Sequence, residues 1–163
     1  MAPPRRKKSE LIDELVREFR TSGNQDDAFD NLAAQRLGVN ETDLHCLNIV
    51  ENAGGITAGK LAVLAGLTTG AVTGVIDRLE HRGFARRVPD PEDRRRVRIE
   101  VTRAFYARAD KIWGPVRADW GRALAKFSNE ELELITEFLR ASNEVGRRHL
   151  DRLREMRRSE ADA

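Results

Sequence analysis

The apolar pattern of this chain changes period once. Up to Gly83, and again from Thr102, apolar side chains recur every three or four residues. Between these points Val97, Ile99 and Val101 alternate strictly, and Phe84 to Val88 forms a matching run before Pro89-Asp90-Pro91-Glu92-Asp93. A two-residue period suits a strand and not a helix, and two such runs around a proline-rich turn read as a β-hairpin with a charged tip. One hairpin in an otherwise helical chain sets the expected fold class: mainly α with a small β-element.

The helices are bounded by capping residues. Ser9 is a suitable N-cap for a helix over about 10–20 with a stripe at Leu11, Ile12, Leu15, Val16 and Phe19. Thr21-Ser22-Gly23-Asn24 reads as a break, followed by a second helix over 26–37 that Gly38 ends. Asn40 opens the next, with Asp43 in the position of a capping box and Leu44, Leu47 and Val50 inside. Thr57 begins a short helix that ends near Ala65-Gly66, and Thr68 caps another that Gly83 terminates. Thr102 caps a helix running to about residue 127, with a kink expected at Gly114-Pro115. Ser128 with Glu131 forms a capping box before a last helix striped by Leu132, Ile135, Leu139, Leu150, Leu153 and Met156. A helix of about 28 residues is about 40 Å long, more than a domain of this size can bury on itself.

Charge narrows the function classes through its distribution. The 163 residues carry a net charge of only +2, from 29 basic and 27 acidic groups. Residues 1–8 sum to +4, residues 9–77 to −7, residues 78–103 to +4 and residues 104–163 to +1. The hairpin therefore sits in a short basic patch within an acidic-to-neutral chain. Of the 29 basic residues 24 are Arg, whose rigid fork of donors suits phosphates and guanine edges. One cysteine, Cys46, excludes an intramolecular disulfide. No apolar run approaches the length of a membrane span, and no apolar segment of signal-peptide type follows the basic start. The expected location is cytoplasmic.

Two helices joined at Gly66 have the spacing of a helix-turn-helix, whose second helix lies in the major groove. That helix presents Thr69, Gly70, Thr73 and Gly74 at its N-terminal half. Small residues let a helix approach the groove floor, and threonines bond either base type or touch thymine methyls. The bland alternative is a surface helix whose Thr and Gly contact nothing. The hairpin tip, with Asp90, Glu92, Asp93, Arg94, Arg95 and Arg96, favours DNA: an Arg on such a wing can enter the narrow minor groove, with the acids orienting it.

Residues 40–103 resemble the winged helix of the MarR (multiple antibiotic resistance regulator) family. The resemblance rests on Leu67-Thr68-Thr69-Gly70-Ala71-Val72-Thr73, Asp77-Arg78-Leu79-Glu80 with Gly83-Phe84, Asp90-Pro91-Glu92-Asp93-Arg94-Arg95, and Val101-Thr102. The flanking helices follow in the family's order, so it spans about residues 10–157. It implies a winged helix-turn-helix DNA-binding domain at 39–102. It also implies a helical dimerisation domain built from 9–38 and 103–158. Residues 1–8, with two prolines and four basic groups, are expected to form a disordered basic tail. The partners it implies are double-stranded DNA with a palindromic operator and a second copy of the chain. Thr57, Lys60, Thr68, Thr69, Thr73, Arg78, Asp93, Arg94, Arg95 and Arg96 are the expected DNA-binding residues. Arg95 is expected to enter the minor groove and Asp93 to orient basic side chains. Arg78 is expected to touch the DNA backbone or pair with the wing acid. Gly74 departs from the family, where several relatives carry a long basic residue.

The family often binds small phenolic or other lipophilic effectors, and Phe19, Tyr106, Trp113 and Trp120 either line such a cleft or serve as ordinary core and interface aromatics. Thiol-sensing relatives carry a Cys near the start of the first helix, and Ser9 to Arg20 has none; Cys46 among apolar neighbours reads as a small buried residue. His45, His81 and His149 are scattered without ligand spacing, so no metal or cofactor is expected. No P-loop, G-x-S-x-G or H-E-x-x-H is present, and an enzyme is not expected. The expected function is a sequence-specific transcriptional regulator, a repressor released by a ligand. An architectural nucleoid protein without an effector would use the same wing.

Overall fold

The structure, a computed structural model, describes residues 6–91, 93 and 95–161, without the side chains of Arg157, Arg158 and Ala161. The order is α1 (Lys8–Leu37), α2 (Glu41–Asn52), β1 (Ile56–Thr57), α3 (Ala58–Ala65), α4 (Thr69–His81), β2 (Ala85–Pro89), β3 (Val97–Val101), α5 (Arg103–Leu124) and α6 (Asn129–Ala161). This is a mainly helical chain with a small antiparallel sheet, as expected.

One difference lies at the start. The break read at Thr21-Ser22-Gly23-Asn24 is absent, and α1 runs unbroken for 30 residues. Its phase explains why: Phe19 and Leu37 are 18 residues apart, five whole turns at 3.6 residues per turn, so both apolar stripes belong to one helix. Thr21 Oγ1 donates to the Arg17 carbonyl at 3.1 Å, keeping the hydroxyl inside the helical ladder. The N-cap is Lys7 and not Ser9, with the Lys7 N–H donating to Glu10 Oε2 at 3.1 Å. Of the basic tail, residues 1–5 lie outside the described residues. Gly38 ends α1 in the left-handed region at φ 70°.

The other caps form as the side-chain chemistry dictates. Asn40 accepts from the Asp43 N–H at 2.7 Å, and Thr102 Oγ1 accepts from the Phe105 N–H at 3.3 Å. Ser128 and Glu131 exchange the two bonds of a capping box at 3.2 and 2.8 Å.

The sheet order is β1-β3-β2, all antiparallel. The β2–β3 hairpin pairs Ala85 with Val101 and Pro89 with Val97. The strand β1 was not foreseen: at two residues it is too short to show a period. It pairs Ile56 with Ile99, burying both, and so joins the hairpin to the helices.

The chain divides into two compact units, Met1–Gly114 and Pro115–Ala163. The core of the first unit includes Leu44, Leu47, Val50, Leu61, Val72, Ile76, Leu79, Phe84, Ile99 and Phe105. It is assembled from α2, α3, α4 and the sheet, with the end of α1 and the start of α5 packed on. In the second unit no residue from 115 to 160 with a described side chain is buried. Leu134, Phe138, Leu139, Val145, Leu150, Leu153 and Met156 of α6 stand exposed. Pro115 lies inside α5, which stays helical across it, and the division between the units falls there. Lacking an N–H, Pro115 leaves the Lys111 carbonyl without its usual helical donor.

Candidate nucleic-acid interface

Gly66 makes the turn between α3 and α4. Its φ of 67° is a left-handed conformation that glycine adopts without a Cβ clash, and it lets α3 stop so that the chain can turn. The chain bends by 108° between the two helices, within the range of a helix-turn-helix. Thr57 caps α3 by accepting from the Lys60 N–H at 3.4 Å, and Thr68 caps α4 by accepting from the Ala71 N–H at 3.2 Å.

Helix α4 buries Val72, Val75, Ile76 and Leu79, the i, i+3, i+4, i+7 face. Its outward face begins with Thr69, Gly70 and Thr73, all exposed. Thr73 Oγ1 donates to the Thr69 carbonyl at 3.0 Å, so its proton is committed and its methyl and lone pair remain for a ligand. A Cβ at Gly70 would meet nothing within 4 Å.

The acids at the end of α4 are neutralised by the hairpin. Arg87 of β2 donates to Asp77 at 2.7 Å and pairs with Glu80, whose Oε1 also accepts the Arg87 N–H at 2.8 Å. The hydrogen bond to Asp77 raises the Arg87 guanidinium above its ordinary value. Across the hairpin Arg86 meets its register partner Glu100 at 2.9 Å. Arg98, in register with Thr57, donates to the Gly54 carbonyl and ties the hairpin to the turn before β1. Much of the basic patch is therefore consumed inside the fold.

The tip is different. Asp90 N–H donates to the Arg96 carbonyl at 2.9 Å and Arg96 N–H to the Asp93 carbonyl at 2.8 Å, which closes the loop. Asp93 Oδ1 accepts from the N–H and Nε of Arg95 at 3.1 and 3.2 Å, and Asp93 Oδ2 lies 3.6 Å from Arg96 Nε. Arg95, at 92% exposure, is held at its base and open at its end. Arg94 and Glu92 lie outside the described residues.

Arg78 does not pair with the wing acid. It donates from Nε and Nη2 to Asp43 of α2, at 3.1 and 2.6 Å. The Asp43 carboxylate, 2% exposed, is thus spent on α4 and not on the reciprocal half of a capping box. That hydrogen bond raises the Arg78 guanidinium above its ordinary value. Asp43 was missed as a functional candidate. The signal available was an acid in line with Leu47 and Val50 on the inner face of α2, where a charge needs a partner.

Cys46 is fully buried, and burial pushes its thiol up to about 11. Of the four candidate effector aromatics, Trp113 meets Phe29 edge-on at 6.0 Å and Tyr106 meets Phe105 edge-on at 5.9 Å. Phe19 and Trp120 are exposed, and Trp120 belongs to the second unit. A cleft of about 710 Å³ opens between α1 and α5 within the first unit, with Phe29, Leu32, Ala33 and Ile112 along it and Arg36 and Arg108 among its lining. It includes none of the four.

The sequence model of the MarR family matches residues 39–97. An HTH-type transcriptional regulator of Bacillus subtilis (strain 168), YcgE, is 37% identical over 151 residues, covering 93% of this chain and 98% of that protein. The chain belongs to the MarR family. As a MarR-family transcriptional regulator it is also similar to MhqR of the same organism, 26% identical over 110 residues, covering 68% of this chain and 76% of that one. The solved structure of a MarR family protein from Bacillus stearothermophilus has the same fold at 20% identity, with a TM-score of 0.61 over 85% of this chain and 97% of that one.

Proposed function

We propose that this chain is a sequence-specific DNA-binding repressor that acts as a homodimer and is released by a small lipophilic or phenolic effector. The observation that carries the reading is the pairing of α4, bare at Thr69, Gly70 and Thr73, with a hairpin whose tip exposes Arg95 while Asp93 holds its base. In this reading residues 39–102 contact DNA, with α4 in the major groove and Arg95 in the minor groove. Residues 9–38 and 103–158 form the dimerisation domain. The exposed apolar faces of α1 (Leu11, Ile12, Leu15, Val16, Phe19) and of α6 support this, since such patches on a soluble protein mark contact surfaces. The effector occupies the cleft between α1 and α5 and shifts the population away from the operator-binding spacing of the two recognition helices. The protein works in the cytoplasm.

Arg95→Ala lowers operator affinity by about 1–3 kcal/mol, the usual worth of one good contact, and leaves folding intact. Fluorescence anisotropy with a labelled duplex checks this, and wild-type affinity would show the wing tip idle. Gly70→Ala separates stability from recognition. It raises helix stability by about 1 kcal/mol, because alanine loses less backbone entropy and has open space there. It also weakens operator binding by holding α4 off the groove floor. Thermal melts and the same titration should move in opposite senses; a stabler variant with unchanged affinity would remove Gly70 from the interface.

A further inference from the structure

We propose that Asp43 is a positioning residue for DNA recognition: buried on α2, it holds the Arg78 guanidinium on α4 as a preformed two-pronged donor for a pair of acceptor atoms on the operator. Arginine has five N–H bonds in a plane. Asp43 takes one from Nε and one from Nη2, the side edge of the fork. The end edge, Nη1 with the second proton of Nη2, is left over, and among the described residues nothing accepts from Nη1. Arg78 is 50% exposed although its partner is 2% exposed, so the pair lies at the surface with only the carboxylate sealed inside.

Gly74 supplies the space. The position where a side chain at Gly74 would begin is 3.5 Å from Nη1, so the guanidinium lies over that bare glycine one turn earlier. A side chain arriving from the next turn, braced from another helix, thus occupies the stretch of α4 that Gly74 leaves empty. Fixing the fork before binding removes the rotamer entropy that a free arginine would lose on contact. Two acceptors spaced to suit such a fork occur on a phosphate and on guanine O6 and N7.

This inference rests on the DNA-binding reading above. Its test compares the full-length chain with Asp43→Asn, Arg78→Lys and the double variant by anisotropy on a duplex that the wild type binds. Asp43→Asn puts an amide N–H against a guanidinium N–H and frees the fork to wander. It should lose about tenfold in affinity, 1.4 kcal/mol, with unchanged helix content. Arg78→Lys keeps the charge but not the fork and should lose at least as much. In the Arg78→Lys background the Asn substitution should cost less than about twofold, because the two act as one unit. A merely structural pair would show the same coupling in thermal melts, so a coupling seen in affinity and not in melting temperature marks positioning. Losses that multiply in the double variant, or wild-type affinity in Asp43→Asn, would overturn the proposal. If Asp43→Asn does not fold, Arg78→Lys alone decides, and retained affinity overturns it. A loss equal on operator and random duplex assigns the fork to a phosphate; a loss confined to the operator and reproduced by 7-deazaguanine assigns it to guanine. Wild type binding no duplex would overturn the DNA reading itself, whereas Asp43→Asn matching a binding wild type removes this inference alone.

Discussion

Phe84→Ala lowers the unfolding free energy by about 3–5 kcal/mol, the range for truncating a fully buried aromatic. Phe84 is 1% exposed and sits where three elements converge. Its ring meets Phe105 of α5 edge-on at 5.7 Å, and the Arg108 guanidinium stands 5.3 Å from its centroid. Its N–H donates to the Leu79 carbonyl at the end of α4 at 2.8 Å, and its carbonyl accepts from the Thr102 N–H at 3.0 Å. The backbone would remain bonded in the alanine variant while the ring's packing against Phe105 and Arg108 of α5 is lost. Denaturant titration checks this, and a loss below about 1 kcal/mol would show that the site collapses around the missing ring.

The second large effect concerns assembly. In the proposed homodimer, Leu150→Glu with Leu153→Glu is expected to give a monomer and to lower operator affinity by about 10²–10⁴-fold, the advantage that linking two half-site contacts confers. Both leucines are exposed in the single chain, and α6 buries none of its described side chains. Two carboxylates would be harmless on a solvated face but would have to be desolvated in an interface. Sedimentation equilibrium reads the assembly and anisotropy the affinity. A double variant that stays dimeric at wild-type affinity would place the interface elsewhere.

Much of this architecture was legible because it is locally encoded. Asn40, Thr57, Thr68, Thr102 and Ser128 each cap the helix they precede, by bonds that span three residues. The hairpin was legible from alternation, and the family from its wing and recognition-helix motifs. What sequence reasoning missed depends on distant partners. Thr21 to Asn24 looks like a break by propensity, but one apolar phase runs through it and outweighs a single glycine. The two residues of β1 acquire strand geometry only from Ile99 and Arg98, more than 40 positions away. The Asp43–Arg78 pair joins residues 35 positions apart, so neither could name the other in advance. The wing arginines read as one basic cluster. Only the fold separates Arg86, Arg87 and Arg98, paired within the domain, from Arg95 at the open tip.

In the proposed function two copies of this winged helix read a symmetric DNA site. A nuclease footprint of the wild-type protein on the region upstream of its own coding sequence, at physiological salt, tests it most directly. The expected result is a protected palindrome whose half-sites lie about one helical turn apart, as two recognition helices in successive major grooves require. Uniform protection along the fragment with no palindrome would contradict it.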